Sequence, residues 1–424
     1  MATNPDSPTP ATTTCAIAGG GPAGVMLGLL LARAGVDVTV LEKHGDFLRD
    51  FRGDTVHPST LAILGELGLS EEFERLPHNE VSRLALRAGD SGGISIDLSV
   101  LRGPYKYVAM VPQWDLLDLL VREASRYPSF HLLMNAEVTG VMRQGDRAVG
   151  LRYRRRDGAG GEHELPAALV VGADGRDSVV RTAAALRPVD FGAPMDVAWF
   201  RISRRPEDPS GVMGRIVHGA MGVAIDRSSY WQMAYIFPKG GFDELRARGI
   251  ERFRERLREL FPVLGDRVGE LADFERVFLL RVGVDRLRRW YREGLLCIGD
   301  AAHIMSPIGG VGINLAVQDA VATANITAGP LLAAQRDGTP LPVEPLARVQ
   351  RRRAWPAVGT QSIQLLLQRT VIQSALAEER GRRLGPPPIL AERRWVRALF
   401  ANAMMVGLRP EHVRTPATDP AVRR

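Results

Sequence analysis

Lysine is almost missing from this chain of 424 residues: Lys43, Lys106 and Lys239 are the only three among 55 basic side chains. The formal charge of +7 is therefore an arginine excess, spread along the chain without the basic and aromatic strings that stack nucleic-acid bases. That argues against a nucleic-acid partner and leaves an attraction for small anions. Cysteine is as scarce. Cys15 and Cys297 sit singly in apolar runs, with neither a disulfide framework nor the paired spacing of a zinc site, and both are expected to be reduced. The eight histidines are scattered, so no metal site is expected. A Gly-x-Ser-x-Gly elbow between a strand and a helix is missing, which removes the serine hydrolases. The uncharged span Cys15 to Ala32 is broken in its first half by Gly19, Gly20, Gly21, Pro22 and Gly24, which argues against stable membrane insertion. Residues 1–14 are rich in Ser, Thr and Pro and carry no Lys or Arg, unlike a secretory leader, so the expected location is cytoplasmic. No internal repeat or heptad array is visible.

What is present is an ordinary globular composition, 45% apolar and 24% charged, in a chain long enough for two or three structural units. Cys15 to Ala18 reads as a buried strand, Pro22 to Ala34 as a helix and Val36 to Leu41 as a second strand ending at Glu42, a βαβ unit. Pro112 to Tyr127 carries helical spacing with Gln113 in its first turn. His131 to Val141 and Ala148 to Tyr153 read as paired strands around the turn Gly145-Asp146, and Leu169 to Gly172 as a short buried strand. Beyond Val189 the runs Val197 to Ile202, Gly222 to Ile225 and Tyr230 to Phe237 are β-rich, with a helix from Phe242 to Leu260. Leu295 to Gly312 is a second glycine-rich stretch feeding a helix from Gly312 to Ala328, and the last ninety residues look helical, broken by Pro386-Pro387-Pro388 and frayed after His412.

The expected fold class is α/β: a Rossmann-like first domain, an inserted β-sheet domain and a helical C-terminal segment. Its boundaries are a disordered tail at 1–13, the first domain at 14–188, the insertion at 189–281, a return to the first domain at 282–340 and the helical segment at 341–424.

Gly19, Gly21 and Gly24 permit a tight turn, a close approach of backbone to a pyrophosphate and close contact of helix and strand, with Pro22 and Ala23 opening a helix whose amides face the anion. Glu42, at the end of the second strand, can accept from ribose hydroxyls and would repel a 2′-phosphate, which selects FAD or NAD.

Three separated segments resemble the flavin-dependent aromatic hydroxylases, the group that includes p-hydroxybenzoate hydroxylase. They are Gly19 to Glu42, the Asp-Gly stretch Gly172-Ala173-Asp174-Gly175-Arg176 through Arg181, and the Gly-Asp stretch Gly299-Asp300-Ala301-Ala302-His303 through Asp319. The resemblance implies bound FAD, touched by Gly19, Gly21, Pro22, Ala23, Gly24, Glu42, Lys43, Arg52, Gln113, Val138, Asp174, Asp300, Gly310, Gly312, Ile313 and Asn314. Asp300 would bind the ribityl chain, cap the next helical turn, or both. Asp174 is either a contact near the pyrophosphate or part of an ordinary Asp-Gly turn. Gly309, Gly310 and Gly312 would bring backbone amides to the isoalloxazine, although Val311 departs from the polar residue often found between these glycines. His303 is assigned no catalysis, and the chemistry is expected to reside in the cofactor rather than in a side chain.

The activity so implied is hydroxylation of an aromatic or polyketide-like substrate: NAD(P)H, bound transiently, reduces FAD, and a flavin C4a-hydroperoxide delivers one oxygen atom of dioxygen. Alternatives on the same fold are an epoxidase, a Baeyer-Villiger enzyme or an isoprenoid saturase, and, of another class, a non-catalytic flavoprotein. Strand alternation places Trp231, Met233, Tyr235 and Phe237 on one face and Tyr230, Gln232, Ala234 and Ile236 on the other. Met221, Trp231, Tyr235, Phe237 and Pro307 are the expected substrate contacts. The expected assembly is a monomer or homodimer.

Overall fold

The computed structural model describes residues 10–48, 55–88, 92–158, 160–217, 219–376 and 393–418. Arg52 and Pro386-Pro387-Pro388 lie outside the described residues. The larger sheet is built on five parallel strands in the order Leu295–Cys297, Glu162–Gly172, Thr13–Ala18, Val38–Leu41 and Phe130–Leu133. Thr13–Ala18 is buried along its length, as its unbroken apolar run requires for a central parallel strand. Helix Pro22–Arg33 packs against both Gly312–Asp337 and Gln113–Ala124 and is buried on nearly every side, so its lack of amphipathic pattern reflects an interior position.

His131 to Val141, expected as one strand, is two. Asn135 takes a left-handed conformation (φ 55°) and divides Phe130–Leu133, which joins the parallel sheet, from Ala136–Gln144, which pairs with Arg147–Arg155. Leu169 to Gly172 is the buried end of the longer strand Glu162–Gly172. The expected single helix Phe242 to Leu260 is likewise divided, into Phe242–Ala247 and Ile250–Leu260, at Gly249 with φ 84°.

A second sheet has seven strands in the order Phe278–Leu280, Met195–Ser203, Tyr230–Pro238, Ala220–Asp226, Val212–Val217, Arg83–Ala88 and Gly92–Asp97. Its last two strands come from well upstream of residue 189, so the sheet is assembled from two separate stretches of chain. One face is covered by helix Ile250–Leu260, whose Phe253, Leu257 and Leu260 are buried against it. The opposite face packs against Ile308 and against Val371, Ile372 and Ala375 from the C-terminal region.

The C-terminal segment is helical over Val343–Leu367, Gln373–Leu376 and Arg394–Met405. The stretch after His412 is not frayed as far as it is described. Val413 N donates to Glu66 Oε2 at 2.7 Å, Arg414 N to Asn325 Oδ1 at 2.8 Å and Thr418 N to Arg33 O at 2.8 Å. No helix among the described residues is long and apolar enough to cross a membrane.

Candidate functional site

The register of the parallel sheet sets the site. Leu133, Leu41, Ala18, Gly172 and Cys297 lie side by side at the strands' C-terminal ends. The loops leaving these strands must emerge along one edge, the position where open α/β sheets bind ligands. Those loops carry Glu42, Gly19 to Gly24, Ala173-Asp174 and Ile298 to Asp300. Crossing hydrogen bonds hold these segments together: Gly19 N to Leu41 O at 2.8 Å, Ala173 N to Ala18 O at 2.8 Å and Ile298 N to Gly172 O at 2.9 Å. Glu42 and Asp300 are thus three strand spacings apart, roughly 14 Å at about 4.8 Å per spacing, a span suited to an extended dinucleotide.

The glycines divide the work. Gly19 has φ 101°, and a Cβ there would overlap the carbonyl of Ala173. A Cβ on Gly24 would overlap the carbonyl oxygen of Gly19, so this glycine sets how closely the helix approaches the loop. Gly21 differs: a Cβ there would meet nothing within 4 Å. Its bareness serves no packing need and leaves room for a group from outside. The first helical rung is Val25 N to Gly21 O at 2.9 Å, and Pro22 has no N–H, so Ala23 and Gly24 offer the open amides. Glu42 stands beside this loop, Oε2 accepting from Gly20 N at 2.9 Å and Oε1 from His44 N at 3.1 Å. Lys43 is exposed next to it, and Val138 is buried in the neighbouring hairpin, where Ala136 N donates to Glu42 O at 2.8 Å.

The second glycine turn meets the first at Gly299. With φ 57°, a Cβ on it would lie 3.3 Å from Ala23 Cβ and 3.4 Å from Ala316 Cβ, so the starts of two helices nearly three hundred residues apart touch one glycine. Asp300 comes next in the turn Gly299–Ala301. Further on, Pro307 enters a turn in which Gly309 (φ 77°) and Gly310 (φ 63°) are both left-handed, a conformation glycine adopts without strain. Thr55 Oγ1 donates to Gly310 O at 2.9 Å, and Thr55 pairs with Met110, which brings the start of helix Gln113–Ala124 and Gln113 into this neighbourhood. Gly312 then opens the long helix. A Cβ on Gly312 would also meet nothing within 4 Å, and the first rung, Leu315 N to Val311 O at 3.1 Å, leaves the amides of Gly312, Ile313 and Asn314 ahead of it. The Asn314 side chain is used elsewhere: Oδ1 accepts from Thr60 Oγ1 at 2.5 Å and His57 N at 3.2 Å. Two bare helix starts, one carboxylate beside a glycine loop and another on the facing turn form a donor and acceptor set that fits a flavin dinucleotide.

Asp174 is spent on local structure. Its Oδ1 accepts from Ser178 Oγ at 2.5 Å and its Oδ2 from Val180 N at 3.2 Å, closing the turn at Gly175. Burial raises its carboxyl, opposed by the hydrogen bond from Ser178.

Of the expected substrate contacts, the structure separates Met221 from the three aromatics. Met221 lies on the sheet face that meets Ile308. Trp231, Tyr235 and Phe237 lie on the other face, under helix Ile250–Leu260, and are corrected to packing residues. Trp231 Nε1 donates to Asp208 Oδ2 at 2.9 Å, and Tyr235 meets the Phe253 ring edge-on at 5.1 Å. Asp208 is itself clasped by Arg267, Nη1 to Oδ2 at 2.5 Å and Nη2 to Oδ1 at 2.8 Å, which holds its carboxyl far below the usual range. The expected alternation is present, but the parity that faces the cofactor edge is that of Ala234 and Ile236.

Two buried polar systems that sequence reasoning missed brace the second turn. Asp319, fully buried, accepts from Gly299 N at 3.1 Å, meets His303 Nε2 at 2.7 Å and accepts from Arg353 Nε at 3.0 Å. Burial alone would raise its carboxyl, but His303 and Arg353 outweigh burial and hold it low. Arg353 Nη1 also donates to Glu411 Oε1 at 3.2 Å. The second system is a file of glutamines. Gln361 Nε2 donates to Ile304 O at 3.0 Å and its Oε1 accepts from Arg286 Nη1 at 3.0 Å. Gln364 Oε1 accepts from Ser306 N at 3.1 Å while its Nε2 donates to Ser306 O at 2.9 Å and Ile308 O at 2.8 Å. Gln368 Nε2 donates to Ser306 Oγ at 2.8 Å. The spacing of 361, 364 and 368 on one helical side was the available signal.

With this geometry in place, comparison with known proteins gives the family. The FAD binding domain family matches residues 12–337, and the chain belongs to it, among FAD-dependent monooxygenases. It is 35% identical over 317 residues to 6-methylpretetramide 4-monooxygenase of Streptomyces rimosus, covering 73% of this chain and 74% of that protein. It is 30% identical to 12-dehydrotetracycline 5-monooxygenase/anhydrotetracycline 6-monooxygenase of Streptomyces rimosus subsp. rimosus, covering 72% of this chain but only 60% of that longer relative. The fold matches the crystal structure of p-nitrophenol 4-monooxygenase PnpA from Pseudomonas putida DLL-E4 with a TM-score of 0.69 at 21% identity, covering 94% of this chain and 99% of that one.

Proposed function

We propose that this chain is an NAD(P)H-dependent flavin monooxygenase that places one oxygen atom on an electron-rich carbon of an aromatic or polyketide-like substrate. The observation that carries the reading is the shared sheet edge, where Gly19 to Gly24 and Gly299 to Asn314 meet beneath an apolar face of the second sheet. Support for the substrate class comes from the 35% identity to a protein named as a 6-methylpretetramide 4-monooxygenase. FAD, when bound and reduced, supplies the activation of dioxygen.

The chain's own residues do the rest. In this reading Gly19, Gly21, Pro22, Ala23, Gly24, Glu42 and Lys43 hold the adenosine and pyrophosphate half. Asp300 and the amides of Gly310, Gly312, Ile313 and Asn314 hold the flavin half, with Gln113 beside them. The first-turn dipole of helix Gly312–Asp337 favours negative charge on a reduced ring. Met221 and its apolar neighbours exclude water from the reacting face. NAD(P)H binds transiently in this reading, as the resemblance implies, and the single Gly-x-Gly-x-x-Gly unit of the sequence fits that.

The test is anaerobic reduction of the flavin-loaded protein with NADH or NADPH, with and without phenolic compounds. Bleaching accelerated by an aromatic ligand is expected, and, when labelled dioxygen is then admitted, one labelled oxygen atom in the product and the other in water. Absence of reduction with every ligand would point instead to a binding module.

A further inference from the structure

The sheet face toward the second glycine turn is apolar over its centre. Met195, Val197, Ile216, Met221, Ala234 and Ile236 form one buried cluster with Val371, Ile372 and Ala375, and Ile308 packs against it. Two polar groups interrupt this surface. Trp199 shares the face with Met195 and Val197, and its indole N–H is buried with no acceptor among the described residues. Gln368, one turn before Ile372, is 1% exposed, and its Oε1 has no partner among the described residues.

Both groups are exceptions to their surroundings. Gln361 and Gln364 use both ends of their carboxamides, whereas Gln368 engages one end only, through Ser306 Oγ. Gln368 also opens the π-turn Gln368–Ile372, a distortion that is rare and concentrated at functional positions. A buried polar atom without a partner carries an uncompensated desolvation cost, and a ligand oxygen is one way to remove it.

We propose that Gln368 and Trp199 are the specificity-determining polar contacts for the substrate, which they take as an aromatic held through its oxygen substituents. The proposal rests on the monooxygenase reading above. An indole can only donate, so Trp199 selects an acceptor such as a ring carbonyl. The spare Oε1 of Gln368 can only accept, so it selects a donor such as a phenolic hydroxyl, which a methyl ether lacks.

The test uses flavin-loaded full-length protein and two probes on one ring system, a dihydroxyanthraquinone and its dimethyl ether, titrated by perturbation of the flavin absorbance. The wild type is expected to prefer the hydroxylated probe by about tenfold. Gln368→Met is expected to bring that ratio close to one while the ether's affinity stays within about twofold. A purely structural role would weaken both probes together. Trp199→Phe reads the other contact: both quinones should weaken by about fivefold with their ratio kept. A wild-type ratio near one, equal weakening of both probes in Gln368→Met, or unchanged quinone affinity in Trp199→Phe would overturn the proposal. Those results differ from a chain that takes up no FAD, which would overturn the monooxygenase reading and this proposal with it.

Discussion

Gly21 and Gly24 belong to one motif and fail in different ways. Gly21→Ala adds a methyl where nothing lies within 4 Å, so the apo protein should keep its melting temperature to within about 2 °C while FAD affinity falls about tenfold or more. Gly24→Ala puts the methyl into the carbonyl of Gly19 and should lower stability and flavin content together. Calorimetry with and without FAD separates the two. Arg353→Met tests the buried charges: it leaves Asp319 with His303 but no guanidinium, while Glu411 keeps Arg352, and it should cost ~3–5 kcal/mol in urea unfolding. Because Asp319 is held below its unfolded value, its contribution is present above the usual carboxylate pKa of about 4 and is lost as pH falls through the folded value. The convergence of the glycine turns, Glu42 and Asp300 on one sheet edge was legible in the sequence because each directly follows an apolar strand run. Trp231, Tyr235 and Phe237 were not, because alternation gives two faces and only tertiary packing says which one a helix covers. The partnership of Asp319 with Arg353 spans 34 residues and leaves no local pattern.

Among the elements, helix Val343–Leu367 does most to fix the second turn, since Gln364 alone grips Ser306 at both ends and Ile308 at its carbonyl. Gln364→Leu leaves those backbone groups buried without partners. It should cost at least about 2 kcal/mol and weaken FAD binding measured by fluorescence titration. The last turn of helix Arg394–Met405 presses on the same loop, with Met404 beside Gly309. Beneath them lies His57, whose imidazole burial pushes down to about 4 against the pull of the carbonyls of Gly309, Met405 and Met404. The folded protein therefore keeps this ring neutral where the unfolded chain takes up a proton. Stability should fall as pH drops from 6.5 toward 4, by about 2 kcal/mol between pH 7 and pH 5 for this group alone, and His57→Phe should flatten that slope in denaturant titrations. The βαβ unit and the helix at Gln113 could be read from periodicity. The break at Asn135 was not read, because the apolar residues on either side carry a strand pattern across it, although asparagine is among the residues that enter the left-handed region most readily.

The molecule as a whole is a sheet edge where remote stretches of chain converge, set against a second sheet that draws its strands from two separate stretches of chain. Its family membership rests on residues 12–337, and the helices beyond them, which no motif announced, brace the site from behind. The central claim is that both glycine turns hold one FAD. Its most direct measurement is FAD stoichiometry and affinity in the wild type, Gly21→Ala and Gly312→Ala, since neither substitution meets a neighbour within 4 Å in the folded chain. One FAD per wild-type chain is predicted, with affinity reduced about tenfold or more in each variant while unfolding is unchanged. A wild type that binds no FAD, or a Gly312→Ala variant that binds it as tightly as the wild type, would contradict the account.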